Sequence, residues 1–188
     1  MTVLATHVVL SMYGFWLPND PRGSWSTYTG SRDLFLVGGK ATKTDTRRSV
    51  AANHHDRNKR EETKRELKYP PVVLNGIQAR AVARGFATVV EEHPIYACAV
   101  MPQHAHLVLA RSTVHADEIV DLLKDAAENR LRKENIFPDT ETIWAQGFWQ
   151  VFLNTPFDVH RTIRYVEGNP LKDGLKPQHW SFVTKPPF

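Results

Sequence analysis

The sequence is organised around a twelve-residue stretch, Ala99-Val100-Met101-Pro102-Gln103-His104-Ala105-His106-Leu107-Val108-Leu109-Ala110. Its apolar composition is typical of a buried strand, yet two central positions are imidazoles. Alternate side chains of a strand share one face, so His104 and His106 point the same way while Ala105 packs on the other side. The two positions lie about 6.6 Å apart along the strand, close enough for both rings to reach one metal ion. By itself the pair is equally consistent with two hydrogen-bonded core histidines.

Length and composition predict one globular domain over residues 1–188, because 41% of the residues are hydrophobic and 10% aromatic. No apolar run approaches the length of a membrane span, and the first residues lack the basic segment and apolar core of a signal peptide. We therefore expect a cytoplasmic protein with no membrane partner. The single cysteine, Cys98, excludes an internal disulfide and a cysteine-based zinc site, and we expect it to be buried.

The net charge of +4 permits a nucleic-acid partner, and its excess lies in one segment. Lys40 to Lys68 contains ten basic and five acidic residues, whereas the rest of the chain has 14 basic and 15 acidic residues. Such a segment is either a solvated loop or an arm that lies on phosphates. Residues 30–70 show no sustained hydrophobic period, so we expect a basic, irregular insertion with a short helix near Arg57 to Leu67.

Strand and helix patterns alternate along the rest of the chain. Their order is strand, helix, strand, strand, helix, strand, helix, which predicts an α+β sandwich of ferredoxin-like or RRM-like type, with helices packed on a central antiparallel sheet. The predicted strands are Thr6 to Phe15, Ile95 to Met101, the second half of a hairpin ending near Arg111, and short strands within Ile143 to Asn154. The predicted helices are Asn75 to Glu92, His115 to Lys133, and Phe157 to about Gly168.

The last predicted helix carries a second pair of residues whose side chains can take part in catalysis or metal binding. Tyr165 and Asn169 are four positions apart and so share a face if the helix extends that far. Pro170 disfavours α geometry at Asn169, which predicts that the amide lies on the final turn. A half-buried tyrosine and a helix-terminal asparagine are each common structural features. Their combination with the histidine pair favours a functional site.

Two motifs resemble those of a known family. Met101 to Leu107 resembles the HUH motif of single-tyrosine HUH transposases, in which two histidines flank a hydrophobic residue. Tyr165 to Leu175, about sixty residues later, resembles their nucleophile helix, especially the tyrosine-x-x-x-asparagine-proline form of REP-associated tyrosine transposases. Ala105 is smaller than the family's usual Val or Ile, and Gln103 stands where Asn or Asp is common.

The resemblance implies roles for four residues. His104, His106 and Asn169 would be ligands of a divalent metal, Mg²⁺ or Mn²⁺, and Tyr165 would be the nucleophile. The implied activity is nicking and strand transfer of single-stranded or hairpin DNA through a 5′-phosphotyrosine, as in DNA transposition, in a nucleoid-associated protein. Residues that we expect to contact DNA are Arg22, Trp25, Lys124, Arg161, Arg164 and Lys172.

Two other interpretations stay open at this stage. A protein of the same fold could bind hairpin DNA for its host with weak or no catalysis. An unrelated metalloprotein could bind zinc through His104 and His106 together with His7 or His179. The family contains both monomers and homodimers that exchange the tyrosine helix, and the sequence leaves this choice open.

Overall fold

The computed structural model describes residues 2–20, 29, 31–42, 54–139 and 141–188. It separates into two compact units, Met1–Ser11 with Val73–Phe188, and Met12–Val72. The prediction of a single domain stays a prediction beside this division. Within the described ranges, no helix combines the length and the apolar character that crossing a bilayer requires.

The first unit is built on a four-stranded antiparallel sheet, which confirms the predicted α+β class. Its strands are β1 (Ala5–Ser11), β2 (Ile95–Val100), β3 (His104–Ala110) and β4 (Trp149–Leu153). They lie side by side in the order β2-β3-β1-β4, so β3 and β1 are central. Because a central strand is hydrogen-bonded to a neighbour on each edge, the backbone of β3 and of β1 holds their side chains in fixed positions.

Three helices complete this unit: α3 (Gly76–Phe86), α4 (Ala116–Lys133) and α5 (Pro156–Lys172). The capping box of Asn75 and Gln78 begins α3, as the asparagine before its apolar pattern indicated. Val159 and Val166 of α5 are buried against Val108 and its neighbours on one face of the sheet. The helix therefore covers the face on which β3 presents its even-numbered side chains.

Helix α5 is longer than predicted, because it continues through Asn169 and Pro170 to Lys172. Thr155 caps its first turn by accepting from the backbone N–H of Asp158, with Pro156 at the first helical position. Pro170 lacks the N–H that would bond one turn back, but its side chain is buried. Burial of the ring offsets the missing hydrogen bond, so the helix continues past its predicted end near Gly168, and Asn169 lies at the start of the final turn, as expected.

The C-terminal segment packs on β2. The Gln178 side chain accepts from the Val100 N–H and donates to the Val100 carbonyl, both at 2.8 Å. Val183 forms a parallel bridge to Ile95, and the backbone N–H of Thr184 donates to the Ile95 carbonyl. These bonds satisfy backbone groups on the outer edge of β2.

The described residues of the second unit form two helices in the region where an irregular insertion was predicted. Helix α1 (Arg32–Gly38) is capped by Ser31, and α2 (Arg57–Arg65) is capped by Asp56. The α2 prediction is confirmed, whereas α1 was missed because its seven residues are too few to show a period. Residues 43–53 of the predicted insertion lie outside the described residues.

A close approach between α3 and α4 leads to a stability prediction. A Cβ atom added at Gly85 would lie 2.5 Å from the Ala127 Cα, which is backbone and cannot move aside. We expect Gly85→Ala to lower the free energy of unfolding by about 1–3 kcal/mol, measured by urea denaturation. Gly76→Ala is the matched control in the same helix, because nothing lies within 4 Å of its added Cβ. Its expected effect is neutral to about 1 kcal/mol stabilising. Equal effects of the two substitutions would contradict the packing argument.

Candidate functional site

His104 and His106 lie on one face of the sheet, as strand geometry predicted, and α5 covers that face. His104 is cross-strand from Ser11, and His106 is cross-strand from Val9. The Nε2 atoms of His104 and His106 lie 3.0 Å apart. Two side chains from one strand thus converge on a single point, even though their positions differ by two residues.

A third imidazole, His7 of β1, contacts this pair. Its Nε2 lies 3.1 Å from Nδ1 of His106, and the two rings are nearly parallel, with an interplanar angle of 20° and centroids 5.3 Å apart. His7 therefore meets the nitrogen of His106 that faces away from His104. An ion held between His104 and His106 would lie across the ring from His7, so this geometry does not support His7 as a third ligand of that ion.

Helix α5 places Tyr165 over the imidazoles. The Tyr165 ring is edge-on to His106 and His7, with centroid distances of 5.7 and 6.0 Å. Its side chain is 41% exposed, so the hydroxyl-bearing residue is accessible from outside. Lys172 lies two turns further on, with its Nζ 4.5 Å from the centroid of the Tyr165 ring. The tyrosine is thus held between a cation and two neutral imidazoles.

Asn169 follows Tyr165 by one turn of the same helix, so both side chains leave α5 on the same side. Its amide nitrogen is buried and has no hydrogen-bond partner among the described residues. The oxygen and nitrogen of an amide are assigned from their partners, so either atom can take this buried position. A buried amide without a partner is unfavourable unless another group binds it.

These residues fit the divalent metal that the sequence motifs imply. Two nitrogens bonded to one ion at about 2.1 Å each stand about 3.0 Å apart when their bonds meet at right angles. The observed Nε2 separation of 3.0 Å matches that spacing. In the part of the chain that the structure describes, no three His, Cys, Asp or Glu side chains form a metal-binding group. The motif resemblance implies Asn169 as a third ligand, and its buried amide, which has no partner among the described residues, is available for that role.

Burial disfavours the charged forms of His7 and His106. It lowers the pKa of His7 to about 4 and holds the pKa of His106 well below its usual value. Any proton taken up by His104 or His7, together with the charge of Lys172, lowers the pKa of His106 further. Neutral imidazoles keep a lone pair on one nitrogen, which is the form that binds a cation.

The predicted DNA-contacting residues have different environments. Arg161 and Arg164 are exposed on α5, where Arg161 pairs with Asp158 at 2.8 Å and lies over the Phe157 ring. Lys172 lies on Tyr165, as described above. Arg22 and Trp25 lie outside the described residues. Their roles in DNA binding stay predictions.

Lys124 makes two intramolecular contacts that the sequence did not indicate. Its Nζ donates to the carbonyls of Ala145 and Gly147, at 3.1 and 2.8 Å, in the segment that leads into β4. Burial lowers the pKa of its amino group, while Asp121 and Asp125 oppose that shift. The lysine thus ties α4 to the segment before β4.

We expect Lys124→Met to lower the free energy of unfolding by about 1–3 kcal/mol, because two carbonyls lose a charged donor. Urea denaturation measures this loss, and Lys133→Met, at an exposed position of the same helix, is the control with little effect. A weaker affinity for DNA with unchanged stability would instead support the predicted DNA contact.

Sequence reasoning did not identify all the residues around the histidines. Trp149 of β4 lies edge-on to His7 at a centroid distance of 5.4 Å. The Ser11 hydroxyl, cross-strand from His104, is buried and has no hydrogen-bond partner within the described ranges. Only the pairing register reveals these neighbours, because they come from strands far from β3 in sequence.

The chain was compared with protein-family models, curated proteins and solved structures. No protein-family model matches the chain, and no curated protein matches it. One solved structure that is similar is described as the REP-associated tyrosine transposase bound to a REP hairpin. Its TM-score is 0.49 and its identity 11%, over 94% of this chain and 72% of that one.

Proposed function

We propose that this protein cleaves and rejoins single-stranded or hairpin DNA with Tyr165 as the nucleophile, as a single-tyrosine HUH transposase does. One observation carries the proposal: an accessible tyrosine lies edge-on to His106, whose Nε2 converges with that of His104. The motif resemblance assigns Tyr165, His104 and His106 to one site, and the packing of α5 on β3 supports that assignment.

The bond changes follow from the chemistry of a phenol and a phosphodiester. The Tyr165 hydroxyl oxygen forms a bond to phosphorus and loses its proton, while the bond from phosphorus to the 3′-oxygen breaks. The 3′-oxygen takes up a proton and leaves as a free hydroxyl, and the DNA fragment on the 3′ side of the cut stays linked to tyrosine through its 5′-phosphate. The phosphodiester bond energy is retained in that link, so a later 3′-hydroxyl can reverse the step and join strands.

A divalent ion would be held by His104, His106 and Asn169. When bound, Mg²⁺ or Mn²⁺ would neutralise charge that develops on the phosphate oxygens. Two imidazoles and an amide carry no negative charge, so this ligand set leaves the charge of the ion available to the phosphate. Carboxylate ligands would reduce it.

The other residues of the site would bind and orient the DNA. Lys172 lies beside Tyr165 and can contact the phosphate that the tyrosine attacks. Arg164 is exposed on the same helix, one residue before the nucleophile. Trp149 is partly exposed next to His7 and offers an aromatic surface to an unpaired base.

The experiment is incubation of the protein with hairpin oligonucleotides from the flanks of its gene, labelled at the 5′ or 3′ end, with Mn²⁺ or with EDTA. The expected result is a metal-dependent covalent adduct that carries the 3′ label, together with a released fragment ending in a 3′-hydroxyl. Binding of the hairpins without any adduct would support a DNA-binding protein without catalysis. Zinc binding without any DNA binding would support the unrelated metalloprotein.

A further inference from the structure

We propose that His7 is a positioning residue, which accepts the Nδ1 proton of His106 and so keeps Nε2 of His106 free to bind a cation. The proposal rests on the proposed function only in taking His104 and His106 as cation ligands. It assigns a task to a buried histidine that the cleavage chemistry itself does not use.

The two ring nitrogens of His106 face different partners. Nδ1 lies 3.1 Å from Nε2 of His7, and Nε2 lies 3.0 Å from Nε2 of His104. Within the described residues, His7 is the hydrogen-bond partner of Nδ1. His106 is therefore the central ring of a chain of three imidazoles, which run from β1 to the first residue of β3.

A neutral imidazole carries a single proton on its two nitrogens. With that proton on Nδ1, His106 donates to His7 and presents a lone pair beside His104, where a cation can bind. With the proton on Nε2, the N–H points at His104 and prevents coordination. The acceptor that His7 offers to Nδ1 thus selects the metal-binding tautomer, a role that carboxylates, backbone carbonyls and water play at other metal sites.

Packing holds His7 where this role requires it. Its side chain is only 6% exposed, its backbone is paired between Val108 of β3 and Val151 of β4, and Trp149 and Tyr165 lie edge-on to its ring. The neutral charge of the His7 imidazole also matters for binding of the negatively charged phosphodiester. A carboxylate would select the same tautomer but would also repel the phosphodiester, whereas His7 adds no negative charge.

The test compares His7→Phe, which keeps a ring but removes the acceptor, with His7→Gln, whose side-chain oxygen can accept the Nδ1 proton. His160→Phe is the control for replacing a histidine, because His160 is exposed on α5 and contacts the carbonyl of Phe188. Thermal unfolding verifies that each variant is folded. The affinity for Mn²⁺ is measured from the electron paramagnetic resonance of the free ion.

We expect His7→Phe to bind Mn²⁺ about 10–100-fold more weakly than the wild type, and His7→Gln to recover most of the affinity. Long-range ¹H–¹⁵N spectra of the Zn²⁺-loaded wild type should show His106 protonated at Nδ1. A folded His7→Phe variant with wild-type affinity, equal losses in both variants, or Zn²⁺ bound to His7 would overturn the proposal. These measurements need no DNA. A failure of cleavage would therefore refute the proposed function, whereas the Mn²⁺ affinities and the protonation of His106 decide the role of His7.

Discussion

Replacing Tyr165 with phenylalanine should abolish the covalent protein–DNA adduct and lower hairpin cleavage by at least about a thousandfold, because the nucleophilic oxygen is lost. Affinity for the hairpin should change little, since the ring keeps its edge-on contacts with His7 and His106. Gel separation of labelled DNA measures both quantities. Stability should also be maintained, because the side chain is 41% exposed.

Tyr96→Phe is the matched control for this substitution. Tyr96 is half-buried on β2 and packs against the core that α5 covers, so its replacement removes the same hydroxyl group elsewhere in the unit. We expect full adduct formation by this variant. An adduct that persists in Tyr165→Phe but is lost in Tyr96→Phe would show that Tyr96, and not Tyr165, is the nucleophile.

The features that the sequence predicted correctly depend on short-range geometry. The two-residue period of β3 placed His104 and His106 on one face, and the helical period placed Tyr165 and Asn169 on one side of α5. Both relations hold within a single element, so no knowledge of the packing was needed. The order of strands and helices then predicted an α+β sheet, because few arrangements of such elements bury their apolar faces.

The features that the sequence missed depend on pairing between distant segments. His7 meets His106 only because β1 pairs with β3 in the observed register, and a shift of one residue would place it on the opposite face. The continuation of α5 past Pro170 depends on burial of that ring, which outweighs the local preference of proline. In both cases tertiary packing decides, and a local pattern cannot show it.

Replacing His104 or His106 with alanine should lower cleavage by at least about a hundredfold, while the two variants should differ in stability. Each loses one of the two nitrogens that converge at 3.0 Å, and with it the charge stabilisation that a bound ion supplies. His104→Ala leaves the buried pair of His7 and His106 intact, so its stability should stay near that of the wild type. His106→Ala leaves the Nε2 atom of His7 buried and unpaired, at a cost of about 1–3 kcal/mol.

Urea denaturation and Mn²⁺-dependent hairpin cleavage, measured on the same preparations, separate these two effects. His106→Gln is the control, because an amide can restore a hydrogen bond to His7 without restoring an imidazole ligand. We expect this variant to regain part of the lost stability and little of the cleavage. Equal stability of His104→Ala and His106→Ala would mean that the bond between His7 and His106 contributes nothing to folding. Full cleavage by either alanine variant would show that the replaced histidine is not a ligand of the metal ion. It would also contradict the proposal that the paired imidazoles organise electrostatic support for the attack by Tyr165.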